Sequence, residues 1–286
     1  MVTKGRAVIG VDLGGTKVAA GRVRDGVVEA VARRRVPADQ AREIVFEALA
    51  DAVAEVAAGS VAAIGCGAPS VVDVATGIVR EVGNIPSWTA FPLGDELEAR
   101  FGRPAVVDND ANAFALGEHR FGAGRGRRHL VGMTLGTGLG TGVVLDGRLV
   151  RGANCGVGEL GKTDYRGGRL QDWCASDYFP REWGAEAGEL HRRARQGEAR
   201  AIAAFEGYGA ELAVAVMRAL YAYDPEVLVL GGSIASAFDL FEASLQRRLE
   251  AFAYPHIVER LTLVPSRLEH APILGAAALA LDRLGE

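Results

Sequence analysis

The chain has 286 residues, of which 49% are hydrophobic and 24% are charged, and its formal net charge is −4. A chain of this size can bury the core of one large domain or two smaller ones, and we expect two. The acidic balance argues against a function in binding nucleic acid or anionic membranes, since both require a basic surface.

The cysteines and the amino-terminal segment bear on location. Cys66, Cys155 and Cys174 are odd in number and lack C-x-x-C spacing, so a disulfide framework is not expected. Residues 1–6 lack the apolar core of a signal peptide, and no apolar run approaches the roughly 18 residues of a membrane helix. The sequence therefore predicts a cytoplasmic protein.

The first half of the chain predicts a meander of strands and then alternating helices and strands. The predicted elements are strands over 7–11, 17–23 and 27–31, a helix over 41–57, a strand over 60–65, a helix over 93–101, a strand over 104–107 and a helix over 111–121.

The second half opens with another meander and continues as helices and strands. We predict strands over 130–135, 141–145 and 148–150, a helix over 201–221, a strand over 227–230, and helices over 238–252 and 273–283. Both meanders carry a glycine-rich turn after their first strand, which indicates a weak internal duplication.

The turn of the first meander reads Asp12-Leu-Gly-Gly-Thr-Lys17. Glycines without side chains let backbone amides approach an anion closely, so such a turn can hold phosphate. The candidate nucleotide-binding residues here are Asp12, Gly14, Gly15, Thr16 and Lys17. The Asp12 carboxylate could also hold Mg²⁺ through water beside the phosphates.

Two later segments have similar chemistry. The second meander contains Gly136, Thr137, Gly138 and Gly140 between two strands, and a buried strand over 227–230 ends in Gly231 and Gly232 before a helix. A glycine turn can close on phosphates, and a strand followed by a helix N-terminus suits nucleotide contact.

The order and spacing of these three segments resemble the phosphate-1, phosphate-2 and adenosine segments of the actin-like ATPases. Four further motifs resemble the ROK family of bacterial sugar kinases and sugar-responsive regulators. They are Gly65-Cys-Gly-Ala-Pro-Ser70, Asn84-Ile-Pro-Ser-Trp88, Val107-Asp-Asn-Asp-Ala-Asn112 and Gly158-Glu-Leu-Gly-Lys162.

The resemblance implies an α/β protein with the actin-like ATPase (ribonuclease H-like) fold. Its two lobes would hold mixed sheets flanked by helices, with a cleft between them. We expect a small lobe over 1–112 plus about 272–286 and a large lobe over 113–271. The implied substrates are a sugar and ATP with Mg²⁺, and the implied assembly is a homodimer or homotetramer.

The resemblance also assigns roles near the sugar. It implies that Asp110 is the general base, because a carboxylate can accept the proton of an attacking hydroxyl. Asn109 and Glu159 would hold sugar hydroxyls, and the acceptor pocket would also include the following residues: Ser70, Asn84, Lys162 and Gln171.

The sequence departs from the family pattern around this pocket. Lys162 stands where His is common, Gln171 where a sugar-contacting Glu is usual, and Ser70 where Gly is usual. Lys162 either donates to a sugar hydroxyl or pairs with Glu159. Residues 163–173 contain no cysteine, so we expect the family's zinc site to be absent.

Three alternatives remain open. Residues 156–163 match the Walker A string, but no apolar strand precedes them. A regulator without catalysis would carry a helix-turn-helix before the first strand, for which the residues before 7 leave no room. Among kinases, the acceptor could be glucose, another hexose, an N-acetylhexosamine or a cyclitol, and the donor could be polyphosphate.

Overall fold

A computed structural model describes residues 5–69 and 71–285. Contacts divide the chain into two compact units. The first unit comprises Met1–Arg125, Arg151–Val157 and Leu268–Glu286, and the second comprises Gly126–Val150 and Gly158–Arg267. The sequence predicted a small lobe over 1–112 plus about 272–286 and a large lobe over 113–271. These lobe boundaries stay a prediction.

The helices and strands follow one another in this order. Up to residue 121 they are β1 (Val8–Leu13), β2 (Lys17–Arg24), β3 (Val27–Arg35), α1 (Arg42–Val56), β4 (Ile64–Ala68), β5 (Val72–Asp73), β6 (Ile78–Glu81), β7 (Thr89–Phe91), α2 (Leu93–Phe101), β8 (Ala105–Asn109) and α3 (Asp110–Phe121). The rest are β9 (Leu130–Leu135), β10 (Leu139–Leu145), β11 (Arg148–Leu149), β12 (Asp164–Tyr165), β13 (Gly168–Arg169), α4 (Gln171–Cys174), α5 (Tyr178–Trp183), α6 (Ala187–Arg195), α7 (Ala199–Tyr223), β14 (Val227–Gly231), α8 (Phe238–Leu249), α9 (Pro255–Arg260), β15 (Thr262–Pro265) and α10 (Ala271–Arg283).

The main sheet of the first unit has the strand order β3-β2-β1-β4-β8. Strands β1, β2 and β3 form the antiparallel meander, whereas β1, β4 and β8 run parallel. Parallel strands end at the same edge of a sheet, so the residues that follow β1, β4 and β8 share one edge. This edge carries Asp12, Asn109 and Asp110.

Close packing of α10 fixes the position of α3 in the first unit. A methyl group on Gly10 or Gly65 would lie 2.0 or 1.8 Å from a carbonyl oxygen of α10, so this helix lies directly on β1 and β4. A methyl group on Gly275 would lie 1.9 Å from the Ala113 carbonyl oxygen, so α10 also contacts the α3 backbone. The first turn of α3, which begins at Asp110, is thereby held against the sheet.

The main sheet of the second unit has the order β11-β10-β9-β14-β15. Strands β9, β10 and β11 are antiparallel, and β9, β14 and β15 are parallel. The helices of this unit share an aromatic core in which Phe179 stacks on Tyr208 at 5.1 Å and Tyr208 meets Phe241 edge to face at 5.3 Å. Both units thus repeat one strand order, which supports the duplication inferred from the two meanders.

The predicted elements agree closely with the structure where apolar periodicity is strong. Helix α2 has the predicted bounds 93–101, and α1 spans Arg42–Val56 against a prediction of 41–57. The prediction omitted the small sheet β5-β6-β7, the hairpin β12-β13, strand β15, and helices α4, α5, α6 and α9. Most of these elements are short, and α6 buries only Leu190 and Ala194, so their apolar signal is weak.

Candidate active site

The carboxyl edge of the first sheet brings three predicted site residues onto neighbouring elements. Asp12 of β1 is level with Gly67 of β4, which is level with Asp108 of β8. A methyl group on Gly67 would lie 3.3 Å from the Asp110 Cα atom. Asp12, Asn109 and Asp110 therefore lie along one edge of the sheet. Strand β4, here at Gly67, separates Asp12 from the other two residues.

Hydrogen bonds from backbone N–H groups to side-chain oxygens fix the turn that carries Asn109 and Asp110. Asn109 is the N-cap of α3, and its Oδ1 atom accepts the Ala111 and Asn112 backbone N–H groups at 2.9 and 3.2 Å. The Asp110 Oδ1 atom accepts the Ala111 N–H at 2.8 Å. Such caps satisfy donors that have no partner inside the helix, so the turn is well defined.

Asn84 lies against the first glycine turn. A methyl group on Gly15 would lie 2.5 Å from the Asn84 Cβ atom and 2.8 Å from its Nδ2 atom. The structure therefore brings a predicted sugar-binding residue into contact with the predicted phosphate turn. Ser70, the remaining sugar-binding prediction in the first unit, lies outside the described residues.

The Asp12 carboxylate is electrostatically unfavourable in the protein alone. Burial raises its pKa from the ordinary value of 3.8 to about 6. Within residues 5–69 and 71–285, no side chain or backbone group forms a hydrogen bond or ion pair with this carboxylate. A desolvated carboxylate without a partner favours a proton or a cation.

The two nucleotide segments of the second unit also meet at one edge. Gly231, the last residue of β14, is level with Thr134 of β9, just before the turn of Gly136, Thr137 and Gly138. A methyl group on Gly232 would lie 2.3 Å from the Leu135 carbonyl oxygen. Gly140 lies in β10 opposite Thr134.

Backbone contacts close this second turn. The Gly136 N–H donates to the Gly138 carbonyl oxygen at 3.1 Å, and the Ser176 N–H donates to the Gly136 carbonyl oxygen at 2.8 Å. Thr137 at the tip is exposed. The backbone at Gly136 is open, because no atom lies within 4 Å of the place where a side chain would begin.

Glu159 and Lys162 lie on a short 3₁₀ helix, Glu159–Lys162, that packs on β10. Methyl groups on Gly158 and Gly161 would lie 1.9 and 2.5 Å from the carbonyl oxygens of Thr141 and Leu139. The segment lies this close to the strand because both residues are glycines.

Lys162 contacts Gln171 rather than Glu159. Its Nζ atom donates to the Gln171 Oε1 atom at 3.1 Å, and among the described residues no ion pair joins Lys162 to Glu159. The pairing of Lys162 with Glu159, left open by the sequence, is therefore not the arrangement in the structure. A methyl group on Gly138 would lie 3.7 Å from the same Gln171 oxygen, so Gln171 also adjoins the second glycine turn.

A cluster of arginine and aromatic side chains, which the sequence analysis did not predict, fixes the position of residues 163–174. The Tyr165 hydroxyl donates to Glu211 of α7 at 2.9 Å, and the guanidinium of Arg166 pairs with Glu211 at 3.1 Å. Arg166 also lies over the Trp173 ring at 4.7 Å. Desolvation and the bond to Glu211 raise the pKa of Tyr165, so this hydroxyl stays protonated. Cation–π contacts and a half-buried ion pair therefore fix the segment that carries Gln171.

Asp108 is a further residue near the predicted site that the sequence analysis did not select. It is 1% exposed, and its Oδ2 atom pairs with the Arg151 Nε atom at 2.6 Å. The only local signal is a charged residue that follows the apolar residues 105–107 of β8, in the same motif as Asn109 and Asp110.

Residues 156–163, which match the Walker A string, do not have the structure of a phosphate loop. The preceding strand, β11, has two residues, and the segment itself forms the short 3₁₀ helix followed by extended backbone at Thr163. A true phosphate loop joins a buried strand to a helix N-terminus. The structure agrees with the sequence argument against this reading.

The described ranges contain no cluster of three or more His, Cys, Asp or Glu side chains arranged to hold a metal ion. No helix among them is long and apolar enough to cross a membrane. The three cysteines are free, and burial raises the pKa of the Cys66 and Cys174 thiols.

Comparison with known proteins gives a consistent result. The model of the ROK family matches residues 8–176 and 169–283. A glucokinase from Thermotoga maritima is 35% identical, over 97% of this chain and 98% of the relative. An N-acetyl-D-glucosamine kinase from Vibrio parahaemolyticus is 30% identical, over 85% of this chain and 89% of the relative.

The solved structure of a ROK family glucokinase from Streptomyces griseus, in complex with glucose and AMPPNP, has a TM-score of 0.85 with 29% identity. It covers 96% of this chain and 99% of that one. This similarity confirms the predicted fold class and the resemblance stated from the motifs. The two matches to the family model overlap at 169–176, a range that includes part of the segment 163–173, which lacks cysteine.

Proposed function

Because the chain belongs to the ROK family, we propose that it is an ATP-dependent sugar kinase that transfers the terminal phosphoryl group to a hexose hydroxyl, with Asp110 as the general base. The observation that carries the proposal is the shared sheet edge of Asp12, Asn109 and Asp110, where β1 leads into a glycine turn suited to phosphate and β8 leads into a capped turn that carries a carboxylate. The similarity to glucokinases over nearly the whole chain supports it.

In this mechanism Asp110 accepts the proton of the sugar hydroxyl as the hydroxyl attacks phosphorus. Asn109 and Glu159 orient the sugar, and Asn84, which adjoins Gly15, would also bind it. The amides of Gly14 and Gly15 and those of Gly136 and Gly138 bind the nucleotide phosphates, while Gly231 and Gly232 contact the adenosine. The same two loops also contribute the following nucleotide-binding residues: Thr16, Lys17, Thr137 and Gly140.

The donor set fits Mg²⁺ at Asp12. This carboxylate lacks a protein partner among the described residues and has a raised pKa, and Mg²⁺ is commonly held by one or two carboxylates with water and substrate phosphates. When bound, Mg²⁺ would neutralise charge on the phosphates during transfer. Asp12 would hold the ion through water.

Two details of the acceptor pocket are part of the proposal. Gln171 and the Lys162 ammonium, which donates to it, would contact the sugar, and Ser70 would lie nearby. The polar Lys162–Gln171 pair and the similarity to N-acetyl-D-glucosamine kinases favour an N-acetylhexosamine as the second candidate acceptor. A cyclitol acceptor or a polyphosphate donor would use the same base.

A coupled assay of ADP release across hexoses, N-acetylhexosamines and cyclitols tests the proposal. We expect ATP turnover that depends on one hexose and exceeds the rate without acceptor by at least about 100-fold, since closing the site excludes water. Polyphosphate with product detection by mass spectrometry tests the other donor. Turnover with none of the acceptors would contradict the proposal.

Lys162→Ala tests the role of this lysine, with Lys17→Ala as a comparison in the nucleotide turn. We expect the sugar KM to rise for Lys162→Ala and the ATP KM to rise for Lys17→Ala. An unchanged sugar KM would remove Lys162 from the pocket. Zinc analysis of the same purified protein tests the expected absence of zinc, which stoichiometric zinc would contradict.

Three further expectations belong to this proposal and rest on the family and the composition. We propose a homodimer or homotetramer, a cytoplasmic location, and no binding to nucleic acid or membranes. Light scattering and a DNA-binding assay at physiological salt test the assembly and the rival reading as a regulator.

A further inference from the structure

Asp108 is a buried carboxylate two residues before the proposed base Asp110. Its hydrogen bonds are to protein groups, so it has no evident role in binding substrate. The Asp108 Oδ1 atom accepts the Asn109 backbone N–H at 2.7 Å and the Asn112 Nδ2 amide at 2.9 Å. Its Oδ2 atom accepts from Arg151 Nε at 2.6 Å. Both oxygens are therefore engaged by protein groups, and the residue is 1% exposed.

The partners of Asp108 come from both sides of the proposed base. Asn109 precedes Asp110 and Asn112 follows it, so one carboxylate oxygen joins the two ends of the turn that carries the base. Arg151 lies 43 residues further along the chain, and its side chain is 31% exposed. A buried charge is tolerated only when it is paired and hydrogen-bonded, which is the case for Asp108.

Arg151 also closes a loop of its own. Its carbonyl oxygen accepts the Val157 N–H at 3.3 Å, so residues 151–157 form a closed loop within the first unit. Cys155 in this loop has a positive φ of 55°, a conformation uncommon for residues other than glycine. The next residues in the chain are Gly158 and Glu159, the latter a proposed sugar ligand. The ion pair thus ties the start of this loop to the turn that carries Asn109 and Asp110.

We infer that Asp108 and Arg151 are positioning residues for phosphoryl transfer, whose ion pair sets the turn of Asn109 and Asp110 and the loop 151–157 in the arrangement that holds the acceptor hydroxyl. Neither residue contacts substrate in this inference. It rests on the proposed function, because the acceptor and the base are defined there.

The test is a double-mutant cycle with Asp108→Asn and Arg151→Gln. Arg151→Gln leaves the buried Asp108 carboxylate without its ionic partner, and Asp108→Asn leaves the partly exposed Arg151 guanidinium without its own, so we expect both to lower the Tm. The double change removes both charges and keeps amide groups of similar shape, so we expect its Tm to return toward that of the unchanged protein.

Activity separates positioning from folding. We expect the double variant to lose about 100-fold in kcat, because small displacements of reacting groups have effects of this size. The sugar KM should rise, and the ATP KM should stay within about 2-fold, because the inferred role of the pair is to position the groups that hold the acceptor. Arg151→Lys, which keeps the charge but not the Nε geometry, should recover part of the kcat.

A matched control uses the ion pair between Arg22 and Glu29, which joins β2 to β3 in the same unit. The corresponding double variant, Arg22→Gln with Glu29→Gln, should leave kcat and both KM values unchanged. If the Asp108 and Arg151 double variant fails to fold, Arg151→Lys at unchanged Tm carries the test through its kcat and sugar KM.

A double variant with the Tm, kcat and sugar KM of the unchanged protein would overturn the inference, because the pair would then contribute neither to stability nor to catalysis. So would Arg151→Lys with unaltered kinetics and unaltered Tm. Failure of the proposed function has a different signature, since the unchanged protein would then show no acceptor-dependent turnover at all.

Discussion

The two main sheets repeat one strand order but differ in what they place at the end of the first strand. In the first unit Asp12 of β1 is level with Gly67 of the parallel neighbour β4, and in the second Thr134 of β9 is level with Gly231 of β14. In both units a glycine turn begins two residues later. A charged residue and a neutral one therefore occupy equivalent positions on the same scaffold.

The turns themselves also differ. In the first unit the Gly14 N–H bonds to the Lys17 carbonyl oxygen, whereas in the second the Gly136 N–H bonds to the Gly138 carbonyl oxygen, one residue closer. The longer turn accompanies the carboxylate whose pKa is raised by burial. The same sheet topology therefore carries a glycine turn in both units, but only the first unit has a carboxylate there that is suited to a cation.

The largest effect on stability is expected where the second turn meets β14. Gly232 has φ +84°, and a methyl group there would lie 2.3 Å from the Leu135 carbonyl oxygen. We expect Gly232→Ala to lower the free energy of unfolding by about 3–5 kcal/mol, from backbone strain together with overpacking. Urea unfolding measures it.

Gly184→Ala is the matched control for Gly232→Ala, because Gly184 also has a positive φ of 72° but nothing lies within 4 Å of its missing side chain. This control should lose only about 1 kcal/mol. Equal losses for the two variants would show that the close approach between Gly232 and Leu135 contributes nothing.

Asp12 should make the unliganded protein less stable at neutral than at acid pH. Its folded pKa of about 6 exceeds the ordinary 3.8, so its favourable contribution is complete below 3.8 and is lost as the pH rises through 6. Asp12→Asn should therefore raise the free energy of unfolding at pH 8 by at most ~3 kcal/mol and change it little at pH 4.

Thermal denaturation at the two pH values, without nucleotide or Mg²⁺, measures the effect of Asp12→Asn. Thr134→Asn, at the equivalent position of the second sheet, should show no such dependence on pH. A stabilisation by Asp12→Asn that is equal at both pH values would refute the electrostatic difference between the sheets.

Gly136→Ala should affect nucleotide binding more than folding. Nothing lies within 4 Å of the missing side chain, so the free energy of unfolding should change by no more than about 1 kcal/mol. A methyl group in the phosphate turn should raise the ATP KM about 10-fold, which corresponds to ~1.4 kcal/mol.

The control for Gly136→Ala is Gly188→Ala, at a similarly open glycine of the same unit, which should leave the ATP KM unchanged. If Gly136→Ala also leaves the ATP KM unchanged, the second turn does not approach the phosphates.

The sequence predicted those parts of the fold and site whose signals are local. Helix α2 and the meanders followed from apolar periodicity, and the turns at Gly14 and Gly136 followed from glycine clusters after apolar strands. The motif over 107–112 indicated a strand that ends in a capped helix, as β8 and α3 show.

Contacts between distant residues had no such signal. Asp108 and Arg151 are 43 residues apart, and Tyr165 and Glu211 are 46 apart, so only the fold reveals these pairs. The contact of Lys162 with Gln171 depends on the 3₁₀ helix and on α4, which were not predicted. Short elements fixed by side-chain networks are therefore the part that periodicity cannot supply.

Turnover of Asp110→Asn with the best acceptor tests the account most directly. The asparagine Oδ1 atom can still accept the Ala111 N–H, so the turn should keep its structure while it loses the ability to take a proton. We predict a fall in kcat of roughly 10²–10⁴ with little change in Tm. A kcat within about 3-fold of the unchanged protein would contradict the assignment of the base, since proton transfer would then contribute almost nothing at this residue.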